Sequence, residues 1–226
     1  LDIAAWNYPL LIAVNVVVPA ILTGNAVVIK HSSLTPLSAI AFEDAFKKAG
    51  APDSLVTAFI MDHHTTEKAI QSGLIHHVAF TGSTGGGRKV QSSASCQFID
   101  VGLELGGKDP AYIREDANLN SAVSGVMDGV FYNAGQSCCA VERIYVHHFL
   151  FDEFVDGAIE FMNNLKIGDP MDDSADMGPM AQESGIKTVE DQLKDAAHKG
   201  AKILTHPGPM PDGKNYIFPA ILTNVN

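Results

Sequence analysis

Two hydrophobic rhythms alternate along the N-terminal half of the chain. Short unbroken apolar runs read as buried parallel strands, and the stretches between them carry helical spacing. Ala26-Val27-Val28-Ile29, running into Lys30, predicts one strand; 55–61, 77–81 and 98–105 predict three more. Thr35-Pro36 offers a cap and a first-turn proline to a helix with Leu37, Ile40, Ala41 and Ala45 as its apolar stripe, closed by Gly50 and Pro52. A helix is predicted over 66–72, and another from Arg88 onward, after the run Gly82-Ser83-Thr84-Gly85-Gly86-Gly87. Pro9 to Ile29 carries no charged side chain and nearly reaches the length of a membrane span. Asn15, Pro19, Thr23, Gly24 and Asn25 interrupt it and no basic stretch precedes it, so it reads as a buried helix followed by a buried strand, not as a signal or a span.

The rhythm changes after Lys108. A helix is predicted from Asp116-Ala117-Asn118-Leu119 through Ser121 to Asn133, and a short strand over 143–147. Phe154, Val155, Ala158, Ile159, Met162 and Leu165 form one helix face, and Ile186, Val189, Leu193 and Ala197 another, stopped by Gly200. Residues 166–179 form a long acidic loop, 201–205 a strand, 207–215 a turn region rich in glycine and proline, and 219–223 the start of an extended segment. The pattern defines an α/β chain: an open parallel Rossmann-like sheet in residues 1–107, then part of a second α/β domain in 108–226. Open parallel sheets bind ligands beyond the carboxyl ends of their strands, where Lys30, Gly82-Ser83 and Glu104 stand.

With 226 residues, 46% hydrophobic and 18% charged, the chain can bury a real core and is neither fibrous nor disordered. Its net charge of -11 repels a phosphate backbone, which argues against nucleic-acid partners. Cys96, Cys138 and Cys139 have no zinc-like spacing, and the histidine pairs 63–64, 76–77 and 147–148 read as surface or strand-end residues, so no metal site is expected. Three cysteines without a pairing pattern suit a reducing compartment.

Five features could carry chemistry. Cys138 or Cys139, within Gly135-Gln136-Ser137-Cys138-Cys139-Ala140, offers a thiol; attack on a carbonyl needs a helix terminus or a cation to favour the thiolate, and a buried inert cysteine is the alternative. Glu104, within Leu103-Glu104-Leu105-Gly106-Gly107-Lys108, is either a general base at an apolar strand end or a structural carboxylate. Asn7 is either an oxyanion donor or a turn residue before Pro9. The run from Gly82 and Ser83 is either a phosphate cradle at a helix start or a connector, and Lys30 either a ribose or phosphate ligand or a surface lysine.

In this order, Trp6-Asn7-Tyr8-Pro9-Leu10, Gly24-Asn25-Ala26-Val27-Val28-Ile29-Lys30, Phe80-Thr81-Gly82-Ser83-Thr84, the glutamate and cysteine segments, Gly168-Asp169-Pro170 and Met177-Gly178-Pro179 resemble the NAD(P)-dependent aldehyde dehydrogenase superfamily over the whole chain. The resemblance implies Cys138 as nucleophile, Cys139 as its bystander, Glu104 as the base for deacylation, and Asn7 with the Cys138 backbone N–H as the oxyanion hole. It implies NAD or NADP as cofactor, with Lys30 and Ser33 near the adenosine ribose, Gly82 and Ser83 at the pyrophosphate and Trp6 in the approaching segment. A small aldehyde would be the substrate, a homodimer or homotetramer the assembly, and the cytoplasm, or the mitochondrial matrix, the location, with no membrane partner. It also implies that the chain is an interior fragment, because the later glutamate-phenylalanine-glycine-proline segment of the family is absent. Ala5 stands where the family usually has proline, and Met61-Asp62-His63-His64 lacks its glycine-rich turn. Ser33 stands where NAD-preferring members often have glutamate, which opens the way to NADP. A CoA-acylating relative, or an inactive structural or regulatory fragment, is the competing expectation.

Overall fold

Parallel pairing of five short strands organises the first half of the chain. The computed structural model describes residues 1–213 and 215–225. It divides into two compact units, Leu1–Gly106 and Gly107–Asn226. In the first, Asp2–Ala4 (β1), Val27–His31 (β2), Val56–Ala58 (β3), His77–Gly82 (β4) and Asp100–Leu105 (β5) form an all-parallel Rossmann-like sheet of order β3-β2-β1-β4-β5. The crossovers are the helices Pro9–Leu22 (α1), Pro36–Lys48 (α2), His63–Gln71 (α3) and Thr84–Ser95 (α4). Ala13 and Val17 of α1 and Ala39 of α2 pack with Val27, Ile29 and Val56 of β2 and β3. Ile70 of α3 and Val90 and Ala94 of α4 pack with Ile3 and Val78 of β1 and β4. Helices therefore cover both faces, as a parallel sheet requires.

Several expectations shift. The central strand β1 is absent from the pattern reading; three residues, one of them an aspartate, carry no readable period. The α2 stripe is on another face: Leu37 is 71% and Ile40 37% exposed, while Ala39 is buried and Phe42 and Phe46 pack on the core. The larger phenylalanines at i and i+4 win the contact with the sheet. Thr35 sits at the cap position of α2, but its side chain makes no capping bond, and its hydroxyl oxygen is buried without a partner. Helix α4 starts at Thr84, inside the glycine run, because Ser83 caps it by accepting the Gly86 N–H at 3.1 Å. The buried helix predicted after Pro9 is only half sunk: Leu10, Leu11, Val14, Val18 and Leu22 are exposed. Among the described residues no helix is long and apolar enough to cross a membrane.

In the second unit, Asp109–Ile113 (β6), a strand that went unread, pairs in parallel with Val141–Val146 (β7). Leu119–Phe131 (α5), capped by Asn118, and Phe151–Asn164 (α6) enclose a core of Ile113, Met127, Phe131, Phe154, Ala158 and Met162. Phe154, Ala158 and Met162 lie on the predicted face of α6. Glu183–His198 (α7) leads to the antiparallel pair Lys202–Thr205 (β8) and Ala220–Thr223 (β9). The acidic loop is closed at its base by a bridge between Ile167 and Met177. Within the predicted turn region 207–215, Lys214 lies outside the described residues.

Asp2 is 1% exposed in the central strand, with one carboxylate oxygen unpartnered. Burial pushes its carboxyl up to about 7. The ordinary value is 3.8, so the folded state holds a proton that the unfolded chain has released between these values. Stability from this group is fully present below 3.8 and lost as pH rises through about 7. The stability advantage of Asp2→Asn over the wild-type chain should widen between about pH 4 and about pH 7, and level off above that, in urea titrations. A constant difference would show that Asp2 does not titrate there.

Candidate active site

The strand order sets what the first unit can bring together. Its reversal falls between β1 and β4, the position where open α/β sheets leave a crevice. Trp6 and Asn7 follow β1, Lys30 lies near the end of β2 with Ser33 in the turn beyond it, and Gly82 ends β4 with Ser83 next. All six share the carboxyl edge of three adjacent parallel strands. Glu104 is on the neighbouring edge strand β5, in register with Thr81, and is exposed rather than sunk among apolar groups.

Lys30 is 6% exposed, and among the described residues it has no carboxylate partner. Burial lowers the pKa of its ammonium. A buried cation without a protein anion is completed by a ligand that brings acceptor oxygens. At the end of β4 the glycines are needed on steric grounds. A Cβ on Gly82 would come within 2.8 Å of the Phe80 ring, and one on Gly86 within 2.7 Å. The Ser83 hydroxyl oxygen is engaged by Gly86 N–H, and the start of α4 remains exposed around it. A cleft of about 440 Å³, lined in part by Gly87, Arg88, Gln91, Leu103 and Leu105, contains none of the predicted site residues.

Cys138 belongs to the second unit. After α5 the chain takes three consecutive left-handed residues, Asn133 at φ 52°, Ala134 at φ 55° and Gly135 at φ 72°. Ala134 there costs about 1–2 kcal/mol, more than asparagine or glycine would. The turn ends the helix short of its predicted limit and aims the chain into Gln136-Ser137-Cys138. Gln136 secures it twice: its amide donates to the Asn133 carbonyl at 3.0 Å, and its side-chain oxygen accepts the Ala181 N–H at 2.9 Å. Cys138 and Cys139 are exposed free thiols, which sets aside the inert buried alternative. No helix begins at Cys138, so the helix terminus that the sequence reading allowed for is not present there. Lys108 is paired with Glu142.

Sequence reading missed three contributors. Gly107 lets its segment pass the Cys138 loop, since a Cβ there would lie 3.3 Å from the Cys138 carbonyl and 2.8 Å from Asp109 Oδ1. Gln136 was noted only as part of the cysteine segment. His31 sits behind Lys30, buried, with Nε2 2.9 Å from the Pro9 carbonyl. Only the doubled glycine at 106–107 was a visible signal.

The model of the aldehyde dehydrogenase family matches residues 1–226. The chain is 38% identical over 229 residues to 3,6-anhydro-alpha-L-galactose dehydrogenase of Streptomyces coelicolor, covering 99% of this chain and 46% of that protein. It is 34% identical to an NADP(+) succinate-semialdehyde dehydrogenase of Mycobacterium avium, covering 100% of this chain and 48% of that protein. Among solved structures, succinate-semialdehyde dehydrogenase from Burkholderia pseudomallei superposes with a TM-score of 0.95 at 32% identity, over all of this chain and 47% of its own. Betaine aldehyde dehydrogenase from Staphylococcus aureus, in complex with NAD+, gives 0.92 at 29% identity, over all of this chain and 46% of its own. The chain belongs to the aldehyde dehydrogenase family, and it spans about half the length of the curated relatives it matches.

Gly107→Ala should force the Cys138 carbonyl to move. Iodoacetamide labelling of Cys138, measured by peptide mass spectrometry against Cys96, should change at least about threefold. Gly125→Ala, whose Cβ meets nothing within 4 Å, should leave it unchanged.

Proposed function

We propose that the complete protein carrying this sequence oxidises an aldehyde to a carboxylic acid with NAD or NADP, through a thiohemiacetal and a thioester on Cys138. Residues 1–107 serve as the cofactor-binding domain and 108–226 as part of the catalytic domain, in a homodimer or homotetramer. The observation that carries this reading is the family match along the full 226 residues, with cysteine, glutamate and asparagine each inside its motif.

The first unit suits a dinucleotide. Lys30 brings a buried charge that lacks a protein anion, and the exposed start of α4, capped by Ser83, offers backbone N–H groups to a pyrophosphate. Lys30 and Ser33 would meet the adenosine ribose, Gly82 and Ser83 the pyrophosphate, and Trp6 the approaching cofactor. When bound, the nicotinamide accepts the hydride.

The chain's own groups do the rest. The Cys138 thiolate adds to the aldehyde carbon and the carbonyl oxygen becomes an oxyanion. The Asn7 amide and the Cys138 backbone N–H donate to it, a role in which one donor is worth about 10²–10³ in rate. Loss of hydride leaves the thioester. Glu104 takes a proton from water, the water oxygen attacks the acyl carbon, and the thiolate departs. Because a carboxylate occupies position 104, hydrolysis is preferred over acyl transfer to CoA; NADH formation that depends on added CoA would reverse that preference.

Cys138→Ala in the complete protein should abolish aldehyde-dependent NADH or NADPH formation, and Cys139→Ala should retain much of it. The opposite result would move the nucleophile to Cys139. A serine at position 33 removes a negative charge that would repel a 2′-phosphate. NADP should therefore support turnover alongside NAD when kcat/KM is measured for both, and a strong NAD preference would remove Ser33 from that role.

A further inference from the structure

We infer that His31 is a positioning residue for the oxyanion donor: its ring ties the loop carrying Asn7 to the end of the strand that carries Lys30. This rests on the assignment of Asn7 proposed above.

The loop Ala5–Tyr8 runs between β1 and α1, and its ends are fastened to the last residue of β2 and the residue after it. At its start the Ser32 N–H donates to the Ala4 carbonyl at 2.9 Å. At its end His31 Nε2 donates to the Pro9 carbonyl at 2.9 Å. Tyr8 is the cap residue of α1, and its carbonyl accepts the Ile12 N–H at 2.9 Å. Pro9 is the first residue of α1, so helical geometry orients its carbonyl. Four residues held at both ends leave Asn7 little freedom.

The ring chemistry is specific. A carbonyl only accepts, so Nε2 carries the proton and Nδ1 is bare. Nδ1 is buried without a partner, and the whole residue is 5% exposed. An apolar side chain would fill this space without stranding a nitrogen. What histidine adds is the Nε2 donor. Burial, with Lys30 adjacent, lowers the ring's pKa, and the bond to the Pro9 carbonyl opposes that shift. Sequence alone gave no sign of this, because the contact spans 22 residues and depends on the register Ala4↔His31.

The test is a kinetic cycle in the complete protein with His31→Ala, Asn7→Ala and the double variant. Asn7→Ala should lower kcat about 10²-fold. His31→Ala should lower kcat about tenfold, with the KM for the cofactor changed less than about threefold, since a misplaced donor weakens chemistry rather than binding. The double variant should match Asn7→Ala alone, because His31 acts through Asn7. His31→Gln, whose amide nitrogen reaches about as far as Nε2, should restore kcat to within about threefold of wild type, and the shorter His31→Asn should not. In the cofactor-free protein, amide exchange over residues 6–12 should quicken in His31→Ala and recover in His31→Gln. If the two single effects multiply, or if Gln fails where Asn succeeds, the positioning role is wrong while the function stands. If Asn7→Ala leaves kcat unchanged, the oxyanion assignment itself falls and this inference falls with it. If His31→Ala does not fold, the Gln and Asn pair decides between the same outcomes.

Discussion

Everything at the carboxyl edge of the parallel sheet depends on one seating: three residues of β1 held between β2 and β4. Asp2, Ile3 and Ala4 register with Ile29, Lys30 and His31 on one side, and Asp2 and Ile3 with Ala79 and Phe80 on the other. That double pairing places the Trp6-Asn7 loop between the Lys30 end of β2 and the Gly82-Ser83 end of β4. A slip of one residue would turn every side chain of β1 to the opposite face. Ile3, buried against Ile70, Val78 and Val90, opposes such a slip.

The second unit solves a different problem, the presentation of a thiol at the surface on a defined path. Here the backbone does the aiming. Three left-handed residues turn the chain sharply after α5, and the energy lost at Ala134 is offset by the bonds that Gln136 makes at either end of its amide. Gly107 clears the carbonyl of Cys138. The thiol is exposed while its loop is held by the Gln136 bonds.

Much of this was legible because strong local signals coincide with local structure. The strand ending in Lys30, the helix closed by Gly50 and the α6 face of Phe154, Ala158 and Met162 all follow from period and punctuation. What escaped had nonlocal causes. β1 and β6 are short, and one contains aspartate while the other contains proline, so only their partners define them as strands. The α2 stripe failed because Leu37 and Ile40 score as apolar but face away from the sheet, whereas Phe42 and Phe46 reach it. The candidate residues themselves were nameable from motifs. Their supports, His31, Gly107 and the two-ended grip of Gln136, arise from contacts between distant segments that no spacing rule encodes.

The bridge between Ile167 and Met177 has a practical side. Backbone bonds of 2.8 Å from Asp176 N–H to the Lys166 carbonyl and 3.0 Å from Gly168 N–H to the Met177 carbonyl clasp the acidic loop at its neck. Beyond that clasp the chain continues to Ala181, where Gln136 takes hold. A peptide epitope or fluorophore-bearing insert grafted near Asp173 would add only the slowly rising entropy of a longer closed loop, making this clasped loop a natural handle for immobilising or labelling the protein.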